Sequence, residues 1–499
     1  MRRLLIGVSC AVVAALVGLV VVSAADQRAR PEGALSGSTL DGTWADRDGD
    51  GVLERGPGEP LLDRTELAPA APARRILTTF VQITDSHVRD EESPARASLL
   101  DRLDPDLNST FRPQEAASPQ VLGAIVAATN ALEPDAVLLS GDLIDSAQSN
   151  EASQLLDVLR GGAVDPDSGA PGYEGPQEAS NPDPFFYRPD LDAPVHPGFL
   201  DSVEEGFRSP GLAAPWYPLV GNHDLLVQGE VPSTPDLDAL ATGRRLLTGL
   251  RENLRLPKEG RSSEDAIALP EEAALSPALV DRVIGRRLPG PSERVAADPA
   301  RRHLPPQALL RRLQAASGAG GAGPLMDYSF DLGPRVRVIA VDLVNRDGGS
   351  GGIVSPGQPA WLRKELRRAG ERWVIVMTHQ PLDGSAGGGR LLAELGRDPH
   401  VIATLAGDTH ANSLVPRESE AGGYWQIETS SLADYPQQAR AIRIVETAGG
   451  GVALETWMID GTGSRLADVA RELSYLDAQG GRPQGHAGEP ADRNARLFR

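Results

Sequence analysis

The sequence predicts an α/β protein with a polar site at one edge of a sheet. Apolar, strand-like runs alternate with helix-like segments, which is the pattern of an α/β fold. Carboxylate, imidazole and amide side chains follow several of these runs, and α/β sheets gather ligands beyond the carboxyl ends of their strands. The five motifs concerned are Asp85-Ser86-His87, Gly141-Asp142-Leu143-Ile144-Asp145, Gly221-Asn222-His223-Asp224, His379 and Gly407-Asp408-Thr409-His410.

The bulk composition is that of a globular protein with long loops. The chain has 499 residues, of which 40% are hydrophobic and 24% charged. This length predicts one large domain with insertions, or two domains. The formal net charge is −20. Such an acidic surface repels a polyphosphate backbone, so no nucleic-acid polymer is expected as a partner, whereas bound cations would still admit a small phosphoester.

The N-terminus has the features of a secretory signal peptide over residues 1–24. Met1-Arg2-Arg3 precedes an apolar run at residues 4–22, and Val22-Ser23-Ala24 offers small residues for cleavage. We therefore predict a secreted or extracytoplasmic protein. Because roughly 20 apolar residues can span a bilayer, an uncleaved membrane anchor is the alternative. The only cysteine, Cys10, lies in this run, so the exported chain would have no thiol.

Residues 25–76 are polar and rich in Pro and Ala, which predicts a low-complexity extension with little core. Within it, Asp46-Arg47-Asp48-Gly49-Asp50-Gly51 matches the start of a calcium loop. The twelfth position of such a loop should carry a bidentate Glu, and here it is Pro57. An acidic turn is therefore the favoured interpretation, and a weak calcium site is the alternative.

The elements of the main region alternate in type. A strand is predicted at residues 78–84 and a helix at residues 118–132, where Val121, Ile125, Ala128 and Leu132 have helical spacing. A strand at 136–140 and a helix at 150–159 follow. Residues 161–215 are rich in Pro, Gly and Asp and read as an insertion, and residues 225–325 form a second one after a strand at 216–220. Because long loops in a compact domain are usually functional, we predict that the insertions border the site as a cap.

The C-terminal half continues the alternation. Strands are predicted at residues 327–331, 335–343, 373–378, 401–406, 424–429, 439–446 and 452–459. Helices are predicted at residues 359–369 and around Leu466, Val469, Ala470 and Leu473. Residues 477–499 are predicted to form a loose tail.

The residue types in the five motifs suit a pair of divalent cations. Asp85 and His87 lie two apart just past a strand, so both can turn into one pocket. Asp142 offers a carboxylate and Asn222 a neutral amide oxygen. His379 and His410 offer imidazole, the commonest neutral ligand. A single strand-end histidine is usually an ordinary core or surface residue, so the argument depends on the recurrence; His196, His303, His400 and His486 lack this context.

The motif set resembles the calcineurin-like metallophosphoesterase superfamily, in particular a secreted bacterial branch with long insertions. The blocks of that superfamily are Asp-x-His, Gly-Asp-x-x-Asp, Gly-Asn-His-Asp/Glu, a strand-end His and Gly-His-x-His, and five counterparts occur here in the same order. The resemblance covers residues 77–460. It implies a four-layer α/β/β/α sandwich of two mixed sheets flanked by helices, with residues 461–499 outside it as a C-terminal helix and loose tail.

The resemblance also implies a role for each residue. Asp85, His87 and His410 would ligate one metal ion, Asn222 and His379 a second, and Asp142 would bridge both. His223 would contact the substrate and help the leaving oxygen, with Asp145 orienting its ring. The implied reaction is hydrolysis of a small-molecule phosphomonoester or phosphodiester by a hydroxide that bridges the two metals.

One position departs from the family pattern. The last block of the family begins Gly-His, and the missing histidine normally ligates the second metal, whereas this chain has Gly407-Asp408. Asp408 can coordinate through oxygen, which favours Mn²⁺, Fe or Mg²⁺ over Zn²⁺ at that position. A weakly held or empty second site is the alternative. The expected cofactors are two divalent metal ions, Mn, Fe or Zn, with Mn or Fe favoured at the site of Asp408.

Two other functions compete with this interpretation. Gly348-Gly349-Ser350-Gly351-Gly352 fits the nucleophile elbow of a serine hydrolase, but Asn345-Arg346-Asp347 separates it from the preceding strand. A non-catalytic metal-binding protein of the same fold is compatible with Asp408 and with the insertions. His223 and Asp145 argue against it, because the resemblance assigns them to the substrate and not to the metals.

Overall fold

The computed structural model describes residues 38–96, 98, 110–248, 291–321, 323–479 and 487–499. The predicted leader at residues 1–24 and His486 lie outside these ranges. The strands in chain order are β1 (Gly42–Ala45), β2 (Glu54–Pro57), β3 (Leu62–Arg64), β4 (Ala73–Ile83), β5 (Ala136–Ser140), β6 (Gly162–Val164), β7 (Phe207–Ser209), β8 (Trp216–Leu219), β9 (Arg245–Leu247), β10 (Ser292–Arg294), β11 (Tyr328–Leu332), β12 (Val336–Ala340), β13 (Trp373–Met377), β14 (Val401–Ala406), β15 (Ser413–Arg417), β16 (Tyr424–Glu428), β17 (Gln438–Thr447), β18 (Val452–Asp460) and β19 (Ala495–Phe498). The α-helices are Ser118–Ala131, Ser149–Arg160, Phe199–Glu204, Asn222–Leu225, Pro235–Ala241, Pro306–Ser317, Gln358–Ala369, Gly388–Leu395, Arg465–Gln479 and Pro490–Arg493.

The first large sheet has seven strands in the order β3-β19-β18-β17-β4-β5-β8. Strands β4, β5 and β8 run parallel to one another, whereas β17 pairs antiparallel with both β4 and β18. Parallel strands end at the same edge of a sheet. The motifs that begin at Asp85, Gly141 and Gly221 follow β4, β5 and β8, so the backbone brings three of the five motifs to one edge.

The second large sheet has six strands in the order β11-β12-β13-β14-β16-β15. Its central strands β12, β13, β14 and β16 are parallel, and β11 and β15 pair antiparallel at the two sides. His379 follows β13 and Gly407 follows β14. The remaining two motifs therefore lie at the carboxyl edge of this sheet.

The two sheets pack face to face. One continuous core contains Phe80 and Ile442 from the first sheet together with Val338 and Ile375 from the second. Gln82 also joins the sheets, because its Nε2 donates a hydrogen bond to the carbonyl of Ala406 at 3.0 Å. This packing places the carboxyl edges of both sheets side by side, with the five motifs between them.

Helices cover the outer faces of both sheets. Val121 and Ile125 of the helix Ser118–Ala131 belong to the shared core. On the other side, Leu362 and Leu391 pack in a second cluster against alternate residues of β13. The α/β fold, with two mixed sheets flanked by helices, is therefore confirmed.

Two predictions about the ends of the chain are wrong. Residues 495–498, predicted to lie in a loose tail, form β19, which pairs with β18 and β3 inside the seven-stranded sheet. The described part of the predicted extension, residues 38–76, is not simply a segment with little core, because β3 joins that sheet, β4 begins at Ala73 and Thr39 is fully buried. These short strands owe their stability to partners that are distant in the chain, and local patterns do not reveal such partners.

The described parts of the insertions contain β6, β7 and the helix Phe199–Glu204 in the first, and the helices Pro235–Ala241 and Pro306–Ser317 in the second. Gln228, near the start of the second insertion, donates a hydrogen bond to Asp145 at 3.1 Å, so this segment borders the predicted site. Residues 249–290 lie outside the described ranges, and the cap stays a prediction. Within the part of the chain that the structure describes, no helix has both the length and the apolarity that a membrane crossing requires.

Candidate metal centre

The backbone turns sharply where the motifs leave their strands. Asp85, His87, Asp142, Asp408 and His410 all have positive φ, at 49°, 39°, 49°, 67° and 54°. Non-glycine residues in this region cost about 1–3 kcal/mol each and concentrate at functional sites. These turns bring the side chains of the five residues toward one another beyond the strand ends.

Two glycines allow the strand ends to approach each other. A Cβ atom at Gly221 would lie 2.1 Å from Asp142 Oδ1, and one at Gly407 would lie 2.3 Å from Asp85 Oδ2. Both distances are far below van der Waals contact, so any larger residue would displace a carboxylate of the site. The glycines of the Gly-Asn and Gly-Asp pairs are therefore required for this close packing.

The predicted ligands converge. The ligand atoms of Asp85, His87 and His410 lie within 4.8 Å of one another, as do those of Asp85, Asp142 and His379. His410 Nε2 lies 3.3 Å from Asp85 Oδ1 and 3.2 Å from His87 Nε2. We call Asp85, His87 and His410 the first ligand group.

Asp142 lies between this group and the next. Its Oδ2 is 3.8 Å from His87 Nε2 and 3.2 Å from His379 Nε2. His379 Nε2 in turn lies 3.5 Å from Asp408 Oδ1. We call Asn222, His379 and Asp408 the second ligand group, with Asp142 placed to serve both.

The three ligand imidazoles present the same nitrogen to the centre. His87 Nδ1 is 2.9 Å from Asp145 Oδ1, His379 Nδ1 is 2.9 Å from the carbonyl of Ser140, and His410 Nδ1 is 2.5 Å from Asp434 Oδ2. Because each of these oxygens can accept a hydrogen bond, each ring is held with Nδ1–H outward and Nε2 toward the centre. His379 Nε2 is buried and makes no hydrogen bond to any described residue. A buried imidazole nitrogen without a hydrogen bond, beside carboxylates, fits a bound cation.

The ionisable groups of the site also favour bound cations. Burial alone would lower the pKa of His379, but the carboxylates of Asp142 and Asp85 raise it well above its ordinary value. Burial would also lower the pKa of His410, but the carboxylates of Asp434 and Asp85 outweigh this effect and raise the pKa to about 10. Burial lowers the pKa of His87 to about 4, assisted by repulsion from His223. The carboxylates of the site therefore favour positive charge beside them, which bound metal ions would supply.

Asn222 is oriented by contacts on both sides of its amide. Its Nδ2 donates to the carbonyl of Gly229 at 3.2 Å, and its Oδ1 accepts from Gln380 Nε2 at 3.0 Å. The turn itself is fixed by Asp224, whose carboxylate accepts from the backbone N–H groups of Gly221 at 2.8 Å and Leu143 at 3.0 Å. The oxygen, which is the metal-ligating atom of an amide, is thus oriented by Gln380, and that it ligates a metal stays a prediction.

Asp408 lies inside the centre. Its backbone N–H donates to both oxygens of Asp85 at 3.2 Å, and its side chain is partly exposed. Burial raises the pKa of Asp408 to about 6, although the charge of His379 opposes the rise. The geometry places this carboxylate beside His379; that it ligates a metal stays a prediction.

His223 and Asp145 lie beside the first ligand group. The rings of His223 and His87 meet edge to face with centroids 4.5 Å apart. Asp145 Oδ1 is 3.4 Å from His223 Nδ1, but the backbone carbonyl of Asp145 is nearer, at 2.8 Å. The carboxylate of Asp145 is closest to His87. Asp145 therefore holds two rings, whereas the sequence predicted one.

Several residues of the site carry no sequence motif. Asp434 contacts His410, Gln380 contacts Asn222, and Gln228 and Arg89 contact Asp145 Oδ2 at 3.1 and 3.3 Å. Each belongs to an ordinary-looking loop, so no local signal distinguishes it. Only Asp224 stood in a motif, and the sequence gave it no role.

The remaining candidates lie elsewhere or take other roles. Ser350 is exposed in the irregular segment between β12 and the helix Gln358–Ala369, so it is not on a strand-to-helix elbow. The carboxylates of Asp46, Asp48 and Asp50 lie within 4.8 Å of one another. Asp46 accepts from the backbone N–H groups of Gly49 and Gly51, as an acidic turn would. His196, His303 and His400 each pair with a carboxylate outside the centre.

Comparison with solved structures finds distant likenesses. A dimetal phosphatase from Danio rerio is 13% identical over 78% of this chain and 100% of its own, with a TM-score of 0.38. The sulfate thiohydrolase SoxB from Thermus thermophilus is 12% identical over 82% of this chain and 61% of its own, with a TM-score of 0.29. No family model and no curated protein matches the chain. Likenesses at this level carry no argument about function.

Any likeness to a known family therefore depends on the motifs and the fold of this chain. In its five ordered motifs, its two mixed sheets and the meeting of the motifs at one edge, this chain is similar to the calcineurin-like metallophosphoesterases.

Proposed function

We propose that this chain is an exported, metal-dependent phosphoric ester hydrolase that cleaves a small-molecule phosphomonoester or phosphodiester. The observation that carries the proposal is the meeting of buried carboxylates and imidazoles in three overlapping groups, each with ligand atoms within 4.8 Å. Oxygen and imidazole donors in this number suit two hard or borderline cations. Export is inferred from the N-terminal leader pattern alone.

Each ligand group would hold one ion, with Asp142 shared between them. The second group offers oxygen from Asp142, Asn222 and Asp408 and nitrogen from His379, a composition that favours manganese or iron over zinc. Bound divalent ions would supply a water of lowered pKa and electrostatic stabilisation of phosphoryl oxygens.

His223 is the residue best placed to serve the substrate. Its backbone N–H donates to Asp142 Oδ1 at 2.8 Å, and its ring is fixed by the carbonyl of Asp145. The side chain of His223 is 10% exposed and that of His87 3%, so His223 is the ring nearer to solvent. A proton donated from His223 to the leaving oxygen would contribute roughly 10²–10⁴-fold to the rate.

A metal-binding protein without turnover is the second candidate. Asp408 favours it, because this residue stands where the family carries a metal-ligating histidine. The two candidates share the metal centre and differ only in hydrolysis, so a single set of measurements separates them.

The test is a panel of phosphoesters assayed with Mn²⁺, Fe²⁺, Mg²⁺ and Zn²⁺ after the full chain has been treated with a chelator. We expect metal-dependent release of phosphate or alcohol, and we expect Asp142→Ala to lose both metal binding and turnover. Asp331→Ala is the control, because Asp331 forms surface ion pairs with Arg337 and Arg372. Full activity in Asp142→Ala would refute the centre, and two bound metals without turnover on any ester would favour the second candidate.

A further inference from the structure

The imidazole of His410 is held by a buried ion pair that lies outside all five motifs. Asp434 Oδ2 is 2.5 Å from His410 Nδ1. Arg112 donates to the same carboxylate through Nε at 2.6 Å and Nη2 at 3.0 Å. Arg112 and Asp434 are each 2% exposed. Arg112 precedes the helix Ser118–Ala131 and Asp434 follows β16, so only the fold brings them together.

We propose that Arg112 and Asp434 are positioning residues, which hold His410 with Nε2 unprotonated and directed at a metal ion of the first ligand group. The inference depends on the metal centre of the proposed function and extends it. A carboxylate only accepts hydrogen bonds, so His410 Nδ1 carries a proton toward Asp434, and a bound metal ion would take the lone pair of Nε2 in place of a second proton. His410 Nε2 then faces Asp85 and His87, the other two members of its group.

Arg112 fixes the carboxylate and offsets its charge. Two N–H groups on the same carboxylate define the plane of that carboxylate, which a single contact would not do. Burial alone would raise the pKa of Asp434, but Arg112 and His410 hold it well below its ordinary value. Asp434 is therefore a buried charge that is compensated by Arg112 and His410 together.

The same arrangement recurs at the second imidazole of the group. Asp145 holds His87 Nδ1, and Arg89 Nε lies 3.3 Å from Asp145 Oδ2. Glu115 joins the two arginines, because it accepts from Arg89 Nη1 at 2.6 Å and from the backbone N–H of Arg112 at 3.1 Å. Both imidazoles of the first group thus have an aspartate backed by an arginine, whereas His379 of the second group is held by a backbone carbonyl.

Asparagine at position 434 would distinguish this role from simple packing. If its oxygen faces His410, its NH₂ group faces Arg112 Nε, and two donors oppose each other. If its NH₂ group faces His410, the imidazole must take the other tautomer, with a proton on Nε2 that excludes a metal. Replacing Arg112 by Met removes the opposing donor, so the double variant Arg112→Met/Asp434→Asn can place its oxygen on His410 again.

The experiment titrates Mn²⁺ into the full chain after chelator treatment, by calorimetry, for the wild type, Asp434→Asn and the double variant. We expect Asp434→Asn to weaken one of the two sites by about 10- to 100-fold, as outer-shell changes do. The double variant should regain at least about a third of the lost binding free energy for Mn²⁺. A purely structural defect would not be relieved by the second substitution. Glu455→Gln is the matched control, because Glu455 of β18 is a buried carboxylate outside the centre. It pairs with Arg443 and Arg496. It should bind Mn²⁺ as the wild type does.

The inference is overturned if Asp434→Asn binds Mn²⁺ with wild-type affinity at both sites, or if the double variant binds no more tightly than Asp434→Asn. Should Asp434→Asn not fold, Arg112→Lys keeps the charge and loses the paired contact; unchanged affinity there would equally overturn the inference. A wild-type chain that binds two Mn²⁺ and hydrolyses an ester retains the proposed function in either case. A wild-type chain that binds no metal would refute both.

Discussion

Replacing Asp408 by Asn should weaken one metal site without changing its shape. Asp408 Oδ1 lies 3.5 Å from His379 Nε2, and the backbone contact of Asp408 to Asp85 is independent of the side chain. A carboxylate and a unit positive charge at a similar separation would interact by about 5 kcal/mol at an effective dielectric near 20. Part of this gain is offset by desolvation, which raises the pKa of Asp408 to about 6. We therefore expect a net loss of about 2–3 kcal/mol, or roughly 30- to 150-fold in affinity for one cation.

The assay is titration of Mn²⁺ into the full chain after chelator treatment, with turnover of an aryl phosphoester measured in parallel. The site formed by the first ligand group should lose less affinity, because the side chain of Asp408 lies 3.5 Å from His379 of the second group, although Asp142 couples the two sites. Glu428→Gln is the control, because it removes one negative charge close to Asp408. Glu428 accepts a hydrogen bond at 2.8 Å from Thr409, the residue that follows Asp408. If Asp408→Asn binds both ions as tightly as the wild type, Asp408 is not a ligand and the reasoning from the second group fails.

Three further predictions concern metal preference, pH and the C-terminus. Asp408→His should shift the second site from Mn²⁺ toward Zn²⁺ in a competition titration; an unchanged preference would contradict the ligand role. Burial and then Glu91 raise the pKa of Glu204 well above its ordinary 4.5, so the folded chain keeps a proton that the unfolded chain releases, and stability falls as pH rises past that value. Glu204→Gln should therefore raise the free energy of unfolding by about 1–3 kcal/mol at pH 8 and little at pH 4, in urea titrations; equal effects at both pH values would contradict this. Removing residues 495–499 should cost about 3–6 kcal/mol, because Leu497 and Phe498 are buried in β19; an unchanged thermal midpoint would show that the strand is dispensable.

The sequence predicted the strands of the site with small errors in their ends. Residues 136–140 and 401–406 are strands over the predicted bounds, and β4 is longer than predicted at its start. These strands were predicted correctly because a continuous apolar run followed by Gly or Asp is a local signal, and buried parallel strands carry such runs. By contrast, β15 and the helix Gly388–Leu395 were missed, since neither has a strong local pattern.

The partners of the ligands could not be read from the sequence. Asp434, Arg112 and Gln380 determine which atoms of His410 and Asn222 face the centre, yet nothing in their neighbourhoods marks them. A hydrogen-bonded partner needs only one suitable atom at one place, and many loops can deliver it. The double use of Asp145 was missed for the same reason.

The sequence by itself determined which residues carry the chemistry, because strand-end position and residue type are properties of short segments. It also determined the order of those residues and the departure at Asp408. Only the tertiary structure decided that the edges of two separate sheets meet, that Asp142 lies between two ligand groups, and that β19 closes the first sheet. These facts depend on contacts between residues far apart in the chain, and such contacts form when buried faces pack together, which no local pattern specifies.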